Sequence, residues 1–232
     1  MTAEEQLLQE TENYIKDYFS EHIRPEYVFH DLDHTVQTVA AVRTIAEGFQ
    51  LDKRDMLVVQ LATWFHDTGY SDGPVDHEAR SCVNAEKFLR GKISDDELDS
   101  VLGCIRSTKV PQQPNNLLEQ VICDGDLSHL GMEIYWDRTG KFRQELILTK
   151  KSIMSEQDWV DFELNFMLNH NYHTAVANEL FNKRKAKHIQ QLLKQKRRLN
   201  PDKAPTVEEL ALLDEEEKSN NIKKERSGRE GG

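Results

Sequence analysis

Four residues spread over most of the chain, His34, the adjacent pair His66 and Asp67, and Asp126, could together offer one divalent cation two imidazoles and two carboxylates. Each lies in a distinctive local string: FHDLDHTVQTV at 29–39, ATWFHDTGY at 62–70 and ICDGDLSHLG at 122–131. Nitrogen and oxygen donors without a thiolate suit Mn, Fe, Co, Ni, Zn or Mg, and the donor set does not choose among them. Such an ion, one or two per site, brings water close to ionisation at neutral pH, which is the chemistry of hydrolysis at phosphorus.

The surrounding residues sharpen this expectation. Asp67 follows a long apolar run, where burying an ionised carboxylate costs several kcal/mol unless it is paired or metal-bound. His30 and His34 are four apart, so in a helix they share a face; one imidazole can bind metal while the other gives a proton to a leaving oxygen. Asp124 and Asp126 flank Gly125 among the apolar Val121, Ile122 and Leu127, and one of the two needs a cation. Lys109, at a helix end before a proline-containing loop, is the candidate phosphate contact, and His77 with Glu78 is placed to reach substrate or a second ion.

The elements that must carry these residues read as helical nearly throughout, giving an all-α fold. Val36, Val39, Ala40, Val42, Ala46 and Phe49 recur at helical spacing, with Gly48 near that helix's end. Met56 to Phe65 is apolar all round, as in the central helix of a bundle, and His66-Asp67 ends it. Gly69 to Pro74 break the chain before a helix at about 76–90, and Ser94 with Glu97 forms a capping-box pattern opening another up to about 106. Further helices are expected around Asp126, at about 156–168 and at about 174–199. A charged, partly disordered tail is expected from 199 to 232, after a segment, 183–198, with eight Lys and Arg and no acids.

Composition bounds the class. The 232 residues, 38% hydrophobic and 31% charged, describe an ordinary globular chain with room for one well-cored domain, expected at 1–198. The net charge of -11 disfavours a grip on nucleic acid. Three unclustered cysteines, Cys82, Cys104 and Cys123, suit core thiols rather than a disulfide framework. With no apolar run of spanning length and no secretory pattern at the start, the expected location is the cytoplasm.

The order His, His-Asp, Asp resembles the signature of the HD phosphohydrolase superfamily, over roughly residues 25–170, and the WFHDTGY string is similar to its predicted metal-dependent members. The resemblance implies an HD helical bundle with His34, His66, Asp67 and Asp126 as ligands, Asp126 rather than Asp124 supplying the final carboxylate, and Asp67 able to bridge a second ion. FHDLDH also resembles the start of the class I cyclic nucleotide phosphodiesterase site, which implies His30 as general acid. The likeness is partial: Asp31 stands where those enzymes usually have Asn, and Tyr70 where a further His is expected. The reading is a metal-dependent phosphohydrolase or phosphodiesterase acting on a small nucleotide-like substrate, in a monomer or homo-oligomer. The alternative is a nucleotide or second-messenger binding module that uses the same pocket without turnover.

Overall fold

The computed structural model describes residues 2–201, and the charged tail expected at 199–232 lies, from residue 202 on, outside them. Among the described residues the fold is all-α with no β-strand. The helices are α1 (Ala3–His22), α2 (Leu32–Gly48), α3 (Lys53–Phe65), α4 (His77–Leu89), α5 (Asp95–Ser107), α6 (Leu117–Asp126), α7 (Tyr135–Lys150), α8 (Glu156–Asn169), α9 (Ala175–Ala177) and α10 (Lys183–Leu199). Short 3-10 turns at Thr68–Asp72 and Ser128–Gly131 and a π-helical segment at Asn178–Asn182 join them. No helix among the described residues is long and apolar enough to cross a membrane.

Local chemistry sets the boundaries. Thr2 and Glu5 close a capping box on α1, and Ser94 with Glu97 closes another on α5. Asp31, Asp52, Asn116 and Ser155 each accept a first-turn amide with the side chain and so start α2, α3, α6 and α8. The cap at Asp31 corrects one expectation: α2 begins at Leu32, so His30 precedes the helix and is not stacked on a helical face with His34. The single helix expected at about 174–199 is divided into α9, a π-helical segment and α10, and the basic run at 183–198 lies wholly in α10.

Two compact units divide the chain. The first takes Met1–Ile153 and Tyr172–Asn182, and α3 is its centre, buried from Leu57 through Phe65 and packed by α1, α2, α4, α5 and α6. A helix apolar on all sides can be stable only in such a position. Val42, Ile45, Val59, Leu61, Val101, Ile105, Val121 and Ile122 meet in the same core. Each fully buried aliphatic side chain there contributes about 1.5–3 kcal/mol. A β-carbon on Gly125 would lie 2.3 Å from Val42 Cγ2, so α6 approaches α2 as closely as it does because residue 125 has no side chain. One residue on, Asp126 reaches back to His34 in the first turn of α2.

Among the described residues the second unit takes Met154–Asn171 and 183–201, and α8 packs on α10. Trp159, Val160, Leu164, Met167, Ile189, Leu192 and Leu193 are buried, and Lys196 pairs with Asp161 at 2.9 Å.

Candidate metal centre

Helix ends converge at the site. His34 comes from the first turn of α2, His66 is the C-cap of α3, Asp67 follows it directly, and Asp126 is the last residue of α6. His34, His66 and Asp67 are buried, with donor atoms all within 4.8 Å of one another. His34 Nε2 lies 3.1 Å from Asp126 Oδ1 and 3.6 Å from Asp67 Oδ2, while His66 Nε2 lies 3.2 Å from Asp67 Oδ2 and 3.5 Å from Asp126 Oδ1. Ligand atoms about 2.1 Å from a common ion stand about 3.0–3.4 Å apart in octahedral or tetrahedral geometry; the 3.1 and 3.2 Å spacings fall in that range and the 3.5 and 3.6 Å ones are slightly wider.

Two further observations fit a cation. The His66 Nδ1–H is directed to the Thr63 carbonyl at 2.7 Å, which leaves Nε2 as the ring nitrogen facing the cluster. That Nε2 and Asp67 Oδ2 are buried without hydrogen-bond partners, although they are 3.2 Å apart. Orphaned buried donors and acceptors are costly, and a shared ion satisfies both atoms.

The electrostatics run the same way. Burial opposes charge on every member of the cluster, yet the Asp67 and Asp126 carboxylates outweigh it at His66 and hold that imidazole well above its usual pKa. Burial likewise opposes ionisation of Asp67 and Asp126, and the neighbouring imidazoles outweigh it, keeping both carboxylates below their ordinary range. Burial wins at His34 and pushes it down.

The remaining expected residues are placed as follows. His77 Nε2 faces the other carboxylate oxygen of Asp67, Oδ1, at 3.5 Å, and Glu78 Oε2 lies 3.7 Å from His77 Nδ1. His30 stands between Glu145 and Tyr70: its Nδ1 is 2.6 Å from Glu145 Oε1 and its Nε2 2.9 Å from the Tyr70 hydroxyl. Lys109 is exposed and pairs with Asp76, the residue before His77, at 3.0 Å.

Asp124 has a different task. Successive even-numbered residues on α6 point about 200° apart, and the Asp124 carboxylate accepts the backbone N–H groups of His173 at 2.7 Å and Thr174 at 2.8 Å, at the start of α9. Asp124→Ala is expected to destabilise the protein by about 1–3 kcal/mol through the lost acceptor, and to leave metal content unchanged. Asp126→Asn is expected to do the reverse. Urea unfolding and elemental analysis of the two variants, side by side, check this; loss of metal from Asp124→Ala alone would exchange the two roles.

Sequence reasoning missed Tyr70, Arg138, Lys141 and Glu145. Tyr70 counted only as a departure from a pattern, yet it stacks on His30 at 4.0 Å and lies 4.3 Å from His77. The others belong to α7, whose buried residues are Tyr135, Arg138, Thr139 and Glu145, while Trp136, Ile147 and Leu148 are exposed. A helix that buries its charges defeats a search for apolar stripes; the available signal was the helical spacing of Arg138, Lys141 and Glu145. No protein-family model, curated protein or solved structure matches this chain.

Proposed function

We propose that this chain is a metal-dependent phosphohydrolase of the HD type, hydrolysing a phosphate ester of a small nucleotide-like substrate. The observation that carries the reading is the buried group of His34, His66 and Asp67, with Asp126 against both imidazoles and two buried atoms lacking hydrogen-bond partners. When bound there, a divalent ion supplies Lewis acidity: it eases ionisation of water and offsets charge on the phosphoryl group.

The chain's own residues do the rest. His34, His66, Asp67 and Asp126 hold the ion. Asp67 uses Oδ2 towards the imidazoles and turns Oδ1 to His77, an arrangement that can orient an attacking water. His30, once Nε2 has taken up a proton from solvent while Nδ1–H stays on Glu145, gives that Nε2 proton to the leaving oxygen. Lys109, free to exchange Asp76 for a phosphoryl oxygen at the exposed rim, offsets developing negative charge.

One observation favours the second reading, a binding module without turnover: His30 Nε2 already contacts the Tyr70 hydroxyl at 2.9 Å. Product formation separates the two. The purified protein, analysed for metal and incubated with Mn and a panel of cyclic and linear nucleotides, is expected to carry stoichiometric metal and release phosphate or nucleoside. Nucleotides that raise the melting temperature without being consumed would support the binding module instead.

A further inference from the structure

His30 is held by a device that spans the first unit. Arg138, Lys141 and Glu145 follow one another along α7 at steps of three and four, so they share one face. All three close on the segment 29–31. The Arg138 guanidinium bonds the Phe29 carbonyl, reaches Asp31 Oδ1 at 3.1 Å and lies over the Phe29 ring, 4.6 Å from its centroid. Lys141 Nζ meets Asp31 Oδ2 at 3.2 Å. The Glu145 carboxylate takes three contacts: Oε2 accepts the backbone N–H of Phe29 at 2.8 Å and of His30 at 3.1 Å, and Oε1 lies 2.6 Å from His30 Nδ1.

A carboxylate has acceptors only, so the proton in the Glu145–His30 contact belongs to Nδ1. On the other side of the ring, a phenol hydroxyl at 2.9 Å has a proton to give and Nε2 has a lone pair to receive it. Burial and the carboxylates around Tyr70 raise its pKa, so that phenol keeps its proton. Two neighbours from different elements therefore select the same neutral form of the ring.

We infer that Glu145 is a positioning residue: its carboxylate holds His30 as the Nδ1–H tautomer and, by also binding the 29–30 backbone, leaves Nε2 as the one ring nitrogen that can exchange a proton with a substrate. The catalytic part rests on the hydrolase reading above; the tautomer does not. Asp31, tied by Arg138 and Lys141, extends the same clamp to the N-cap of α2, three residues before His34. One helix face thus fixes the ring whose Nε2 takes up and gives the proton, and the helix that carries His34.

Long-range nitrogen–proton correlation spectra distinguish protonated from unprotonated ring nitrogens, and the His30 signals are identified by their loss in His30→Gln. At alkaline pH, without metal, the unsubstituted protein is expected to show His30 as Nδ1–H, and Tyr70→Phe to keep that form. Glu145→Gln, which retains shape but cannot accept at both ends, is expected to show a mixture of tautomers. It is also expected to lower kcat about 10- to 100-fold, the usual effect of losing an orienting partner, with KM changed less. An Nε2–H ring in the unsubstituted protein overturns the proposal, as does an unaltered tautomer and rate in Glu145→Gln. Loss of the Nδ1–H form in Tyr70→Phe would transfer the role to Tyr70. If Glu145→Gln fails to fold, the unsubstituted protein and Tyr70→Phe still decide. Absence of turnover with every nucleotide would count against the hydrolase reading alone, because the spectra need no substrate.

Discussion

Asp67→Ala is expected to remove stoichiometric metal and turnover together while helix content stays close to that of the unsubstituted protein. Asp67 addresses more of the site than any other single side chain in the cluster: Oδ2 lies 3.2 Å from His66 Nε2 and 3.6 Å from His34 Nε2, and Oδ1 lies 3.5 Å from His77 Nε2. Truncation removes a ligand, a water-orienting oxygen and the largest counter-charge acting on His66. Breaking a buried ion pair typically costs about 3–5 kcal/mol. Here the cost is expected to be smaller, because His66 can shed its proton once the carboxylate is gone. Asp67→Asn tests the charge without opening a cavity and is expected to show the same loss of metal. Elemental analysis, product release and circular dichroism on both variants make the comparison. Full metal content and an unchanged rate in Asp67→Asn would remove Asp67 from the site.

Metal removal should be nearly as consequential for stability. A ligand that binds only the folded state stabilises it by about 4 kcal/mol at a thousandfold excess over its dissociation constant. For a chain of this size that is about 8–16 °C in melting temperature. Chelation is therefore expected to lower the melting temperature by that order, and pH sets how much. The folded, metal-free protein holds the His66 pKa above its unfolded value. The stability this pair supplies is fully present below about pH 6.5, the ordinary imidazole value, and is lost as pH rises through the raised folded value. Metal needs the unprotonated imidazole, so a proton must leave as the ion enters. The gap between metal-loaded and chelated melting temperatures is accordingly expected to widen as pH rises and to narrow as it falls. Calorimetry with and without chelator at several pH values measures it. A melting temperature indifferent to chelator at every pH would remove the metal from the account.

Much of the helical architecture was legible because its signals are local. Asp52, the Ser94 and Glu97 pair, Asn116 and Ser155 each satisfy amides no more than three residues away, so caps and starts can be read in a short window. The all-apolar run to Phe65 announced the central helix for the same reason. Less legible was α7, because it buries Arg138 and Glu145 while Trp136, Ile147 and Leu148 are exposed. The role of Asp124 was equally hidden, since its partners His173 and Thr174 lie far along the chain.

What the sequence by itself determined was the all-α class, the bounds of α4, α5 and α8 to within about a residue, and the short strings whose His and Asp residues could bind a cation. Only the tertiary structure decided that those residues share one point, that His30 lies outside α2, and that Glu145, 115 positions away, grips its ring. The physical reason is range. Capping and amphipathic periodicity act within a few residues of backbone, whereas a site built from the ends of α2, α3 and α6 depends on how closely helices pack, and a missing side chain at Gly125 is enough to set that distance.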